Sequence, residues 1–223
     1  MARLNFNLPT HGLLLGVLIL LIIASPELPD AGSGIVFELF FDLVLLAGVR
    51  SVGPSKHRIP FLLLTVLTLG LRWGEQLTGT GVLDVSALGL TVVWLVYAIW
   101  IVVGHLFRRR EVTLNTIFGA IVAYLLIAMA FAMVFTILEV RHPGSFSGLP
   151  DTQISHRNEL YSAIMYYSLV CFTTMGFGDV VPVSSLARSL SAVAGVLGQL
   201  YLAVMIARLV GLHIAHTSRN DDF

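Results

Sequence analysis

Long apolar runs separated by short polar connections fill this chain from Thr10 almost to its far end. They fall at 10–24, 34–50, 59–77, 82–107, 113–139 and 184–214. A helix needs about 20 apolar residues to cross a hydrocarbon layer about 30 Å thick. Most of the runs reach that length. The first is short and draws on Leu8 and Pro9, and a proline there is tolerated because a first helical turn has no internal N–H partner to lose. The pattern predicts an all-α membrane protein of six transmembrane helices. One connection breaks the rule of short loops. Residues 140–183 hold a polar stretch from His142–Pro143–Gly144–Ser145 to Asn158, then an apolar run from Leu160 to Phe172 too short to span. Asn158 and Ser162 are its candidate helix caps. A short apolar segment between two spans reads as re-entrant. Non-helical backbone at membrane depth is tolerated where it lines a protein-walled, water-filled path.

Composition agrees. The 223 residues are 57% hydrophobic and 12% charged, against about 25% charged in a soluble domain. Mean hydropathy is +0.88. Formal net charge is zero, which gives no reason to expect a nucleic-acid partner. The single cysteine, Cys171, forms no intrachain disulfide. Arg3, the first apolar run and Ala24–Ser25–Pro26 fit a cleaved leader poorly, since proline stands third in the small-x-small frame. The basic connections fall on one side: Arg3, then Arg50, Lys56 and Arg58, then Arg108, Arg109 and Arg110, then Arg219. The opposite connections carry Glu27, Asp30, Glu75, Asp84, Glu139, Asp151 and Glu159. By the positive-inside rule both termini are expected in the cytoplasm, of a bacterial inner membrane to judge by the short loops.

The re-entrant run ends in Thr173–Thr174–Met175–Gly176–Phe177–Gly178–Asp179. This segment resembles the potassium-channel signature threonine-threonine-valine-glycine-tyrosine-glycine-aspartate, in which rings of backbone carbonyls replace the ion's hydration shell. The resemblance implies that Thr174, Met175, Gly176, Phe177 and Gly178 form a selectivity filter for K+, the permeant ion, with no organic cofactor and no enzymatic role. One chain supplies one strand, so the implied assembly is a homotetramer. Carbonyls that all face one axis need alternating backbone handedness, and left-handed conformations cost a residue with a Cβ about 1–2 kcal/mol but glycine almost nothing. That accounts for Gly176 and Gly178. Tyr166 and Tyr167 resemble the aromatic pair that supports the filter, with Tyr167 expected to reach Asp179; Thr173 belongs to the same support. Met175 and Phe177 depart from the signature, and Val170 stands where some relatives carry glutamate. The module would cover about 111–223, with Gly198 at the place of an inner-helix hinge and Gly195 beside it. Close helix packing is the other reading of both glycines.

The first part, 1–110, stands where voltage-gated relatives carry a sensor. Its fourth run, Val82 to Phe107, contains no lysine or arginine, and His105 is its basic group. Steep voltage gating needs charges that cross the field, so it is not expected. Arg108, Arg109 and Arg110 read as a topology anchor or a contact with anionic lipid. Glu38 and Asp42 lie one helical turn apart inside the second run, with Arg72 as an expected ion-pair partner and an ion or proton site as the other reading. His142, His156, His213 and His216 suggest no metal spacing. A potassium-selective channel is the expected function, open by default or gated by lipid, pH or the filter. A weakly selective monovalent cation channel is the alternative that Met175 and Phe177 leave open; a transporter subunit or a non-conducting accessory protein fits the filter sequence less well.

Overall fold

The computed structural model describes residues 11–24, 33–52, 57–78, 82–108, 112–149 and 157–220. Four helices come first: α1 (Gly12–Ala24), α2 (Ser33–Val52), α3 (Arg58–Thr78) and α4 (Val82–Arg108). Then follow α5 (Leu114–Arg141), strand β1 (Phe146–Ser147), α6 (Arg157–Phe172), strand β2 (Val181–Pro182) and α7 (Ser185–Asn220). Among the described residues, three helical stretches are long and apolar enough to cross a membrane: Val85–Arg108, Leu114–Arg141 and Ser185–Leu212. The apolar α1 has 13 residues, and α2 and α3 carry ionisable side chains along their length.

Sequence determines these elements locally. Thr113 caps α5 with a reciprocal box: its hydroxyl accepts from the Thr116 amide at 3.2 Å, and the Thr113 amide donates to the Thr116 hydroxyl at 3.4 Å. The buried face of α5 is rich in small residues, Gly119, Ala120, Ala123, Ala128 and Ala132 among them, which lets neighbouring backbones approach closely. That is why α5 is the hub. It packs along α4, receives α1, and carries α6, which is wedged between α5 and α7. On the other flank α3 lies against α4. There Trp94 is fully buried, its ring 4.9 Å from that of Phe61, and its indole N–H donates to the Thr65 hydroxyl at 2.8 Å. A buried indole needs such a partner, since an unpaired N–H in an apolar core is costly. One continuous core links Leu18, Phe41 and Trp94 of the first helices with Phe135 and Phe172.

The helix α6 begins at Arg157, before both expected caps. Ser162 therefore lies more than a turn inside it and is no cap; the Asn158 side chain lies outside the described residues. With 36 residues, α7 is about 54 Å long at 1.5 Å per residue.

Candidate ion-conducting site

The segment Thr173–Asp179 hangs from the end of α6. Its first residues close that helix with a Schellman arrangement: the Met175 amide donates to the Val170 carbonyl and the Thr174 amide to the Cys171 carbonyl, both at 3.0 Å. The geometry requires the intervening residue to be left-handed, and Thr174 has φ +59°. Glycine usually fills this position. A β-branched residue there is strained by about 1–3 kcal/mol and persists where its surroundings hold it. Here the Thr173 carbonyl accepts the Thr174 hydroxyl at 2.7 Å, and Gln199 Nε2 of α7 donates to Thr174 Oγ1 at 3.1 Å. The remaining carbonyls of the last turn are also used. Leu169 accepts from the Thr173 amide and hydroxyl at 2.9 and 2.7 Å, and Phe172 accepts from the Tyr124 hydroxyl at 3.1 Å.

Beyond Thr174 the handedness alternates. Gly176 has φ +61° and Gly178 φ +81°, whereas Met175 and Phe177 between them do not enter the left-handed region. A chain that reverses hand at every residue turns successive carbonyls toward the same side. All five residues, Thr174 to Gly178, are exposed in the single chain.

The far end of the segment is anchored differently. Asp179 accepts a hydrogen bond from the Tyr166 hydroxyl, which together with bonds from the Val180 and Asp179 amides holds its carboxyl below the ordinary value of 3.8 against the opposing effect of desolvation. The Tyr166 ring stacks on Phe177, centroids 6.3 Å apart and planes 6° from parallel. Tyr167 does not reach Asp179, contrary to the sequence expectation. Its hydroxyl pairs with Ser191 of α7 at 2.6 Å, and its ring packs edge-on against Phe146. Neighbouring residues on a helix point about 100° apart, so one tyrosine faces Phe177 and Asp179 while the next faces α7.

Behind Asp179 lies the β1–β2 pair, in which Phe146 opposes Pro182 and Ser147 opposes Val181. Gly148 has φ +85°, and a Cβ there would overlap the Asp179 carbonyl oxygen. Glu139, 3% exposed at the end of α5, organises this turn. Its carboxylate accepts from the Gly144 amide at 2.8 Å and the Phe146 amide at 3.0 Å. From the sequence, Glu139 counted only as a loop charge and Gln199 had no role of its own. A carboxylate closing an apolar helix just before His-Pro-Gly was the available signal for the first.

Gly195 and Gly198 of α7 sit at close helix contacts. A Cβ on Gly198 would overlap the Phe172 carbonyl oxygen, and one on Gly195 would meet that of Cys171 at 3.5 Å, while α7 runs through both without a break. Elsewhere, Asp42 and Arg72 come together at 3.9 Å, Trp73 Nε1 donates to Asp42 at 2.9 Å, and the Arg72 guanidinium covers the Phe41 ring at 4.2 Å. The Glu38 side chain, Arg109, Arg110, His156 and the side chains of His213 and His216 lie outside the described residues; Arg108 is exposed at the end of α4. Among the described residues no group of histidine, cysteine and carboxylate side chains is arranged to hold a metal ion.

A helical membrane protein with an exposed strand of alternating hand, hung between a short helix and a long apolar one, has elements suited to passing an ion. A family model described as an ion channel matches residues 92–213, more than half of the chain, and the protein belongs to that ion channel family. Among curated proteins it is similar to Protein LctB of Bacillus caldotenax, 26% identical over 101 residues that cover 45% of this chain and 75% of that one. No solved structure matches it.

Proposed function

We propose that the chain is one subunit of a homotetrameric potassium channel in which Thr174 to Gly178 coordinate dehydrating K+ and passive flow follows the electrochemical gradient. The observation that carries this reading is the alternation of left-handed backbone at Thr174, Gly176 and Gly178. Stacked carbonyl rings around one axis require that alternation, and a single chain supplies one quarter of each ring. The negative end of the α6 dipole lies at the inner end of the strand, where a cation is favoured.

Burial supports assembly. Over its apolar window α5 is 61% buried, but α7 is 17% buried. Copies around a central axis would cover part of α7 and the filter face together. In this reading all six apolar helices span, α6 is re-entrant, and both termini are cytoplasmic. The fourth helix carries no basic residue before His105, so opening is not steeply voltage-dependent.

A second reading, a weakly selective monovalent cation channel, draws on Phe177, whose ring stacks on Tyr166 but has no hydroxyl with which to brace the filter. Flux from liposomes loaded with K+ or Na+ tests both. A K+ rate at least about tenfold above the Na+ rate supports the first reading. Equal rates that become K+-selective in Phe177→Tyr support the second. Absence of flux of either ion across pH and voltage contradicts both.

A further inference from the structure

A cleft of about 370 Å³ opens between α4, α5 and α7, and its walls are apolar. It runs from Ile99 and Leu197 at one end to Phe107 and Met205 at the other, with Leu200 along one side. Positions 99 to 107 and 197 to 205 each advance about 12 Å along a helix at 1.5 Å per residue, close to the ~15 Å depth of one bilayer leaflet's hydrocarbon. The Phe107 end is cationic. The Arg208 guanidinium lies over the Phe107 ring, 4.9 Å from its centroid, and Arg108 is exposed as the next residue of α4.

An apolar trough of nearly leaflet length with the Arg208 guanidinium at its interfacial end complements one kind of molecule. We propose that this cleft binds an anionic phospholipid of the leaflet on the Phe107 side, with an acyl chain along Leu200 and Ile99 and the phosphate at Arg208. A simple hydrocarbon would gain nothing from the arginine, and a free phosphate would gain nothing from the trough. Each basic group near an anionic headgroup is expected to favour binding about fivefold. The occupant would touch both α4 and α7, so bilayer composition would bear on the stance of the inner helix. The binding site rests on the membrane location alone; its effect on conduction rests on the channel reading, so the test reads binding.

The test is native mass spectrometry of the full-length protein in neutral detergent, titrated with phosphatidylglycerol and with phosphatidylcholine of the same chains. The wild type is expected to prefer phosphatidylglycerol about fivefold. Arg208→Gln should remove most of that preference while leaving phosphatidylcholine adducts in place. Leu200→Trp, which fills the trough, should reduce adducts of both lipids. Val204→Phe serves as a second filler if circular dichroism shows that the first fails to fold. Equal binding of the two lipids by the wild type overturns the proposal, as does an undiminished preference in Arg208→Gln. Undiminished adducts in a folded trough-filled variant also overturn it, and are the expected result if a helix of a neighbouring copy occupies the cleft.

Discussion

Two glycines around α6 and the Asp179 turn meet backbone, whereas the described glycines of the first four helices meet open space or side chains. A methyl group added at Gly89 or Gly104 of α4 meets nothing within 4 Å among the described residues. Added at Gly148 or Gly198, it would overlap a backbone carbonyl oxygen, that of Asp179 or of Phe172. The nearest counterpart in the first half is Gly48, whose added Cβ would lie 2.6 Å from the Trp94 ring, a side chain rather than backbone. Side-chain neighbours can repack; carbonyls held at both ends of a hydrogen-bonded segment cannot. Backbone placement is therefore fixed more tightly at the two ends of the Thr173–Asp179 segment, at Phe172 and at Asp179, than along the described glycines of the first four helices.

The contrast is most easily broken at Gly198. Gly198→Ala should cost about 3 kcal/mol through overpacking against α6 and abolish flux. Gly104→Ala should instead raise stability by about 0.5–1 kcal/mol through helix propensity. Thermal unfolding in detergent, followed by size-exclusion chromatography, measures both, and equal shifts would remove the distinction. Glu139→Gln comes next. It replaces a charged acceptor of two amides with a neutral one and should cost about 2 kcal/mol, with loss of K+ current as the β1–β2 turn loosens. Asp42→Asn sharpens the comparison from the other side. The pair with Arg72 is nearly buried but long at 3.9 Å, and the Trp73 bond survives, so the expected cost is about 2 kcal/mol with an unchanged K+/Na+ flux ratio. A changed ratio would give the first half a part in selectivity.

The smallest effect concerns acid. Asp179 titrates below its ordinary 3.8 because the folded chain favours the carboxylate. Its stabilising contribution is thus complete above pH 3.8 and is lost as pH falls through the lower folded value. Acidifying the Asp179 side from pH 7 to 5 should leave its bond with Tyr166 intact. Asp179→Asn should make the acid limb below pH 3.8 of an unfolding profile slightly shallower; an unchanged limb would place the titration elsewhere.

Much of the helical layout was legible because apolar run length fixes where a helix can start and stop. The run 59–77 corresponds to α3, Arg58–Thr78, and 82–107 to α4, Val82–Arg108. Left-handed backbone at Gly176 and Gly178 followed from residue type, since glycine adopts it at little cost. What stayed hidden depends on contacts between distant positions. Thr174 gives no sign of being a helix cap until Val170 and Cys171 accept the amides around it. The bond from Gln199 crosses 25 positions, and periodicity says nothing about it. Tyr166 and Tyr167 are identical letters whose partners, Asp179 and Ser191, are assigned by the rotation of α6 against α7. Two-residue strands such as β1 and β2 carry too few positions to show an alternating pattern.

The central claim is that the strand Thr174 to Gly178 conducts K+ selectively. It is tested most directly by the reversal potential of the full-length protein in planar bilayers under opposed K+ and Na+ gradients. The account predicts reversal near the K+ equilibrium potential. Reversal near zero would contradict it and make the pore a general path for monovalent cations.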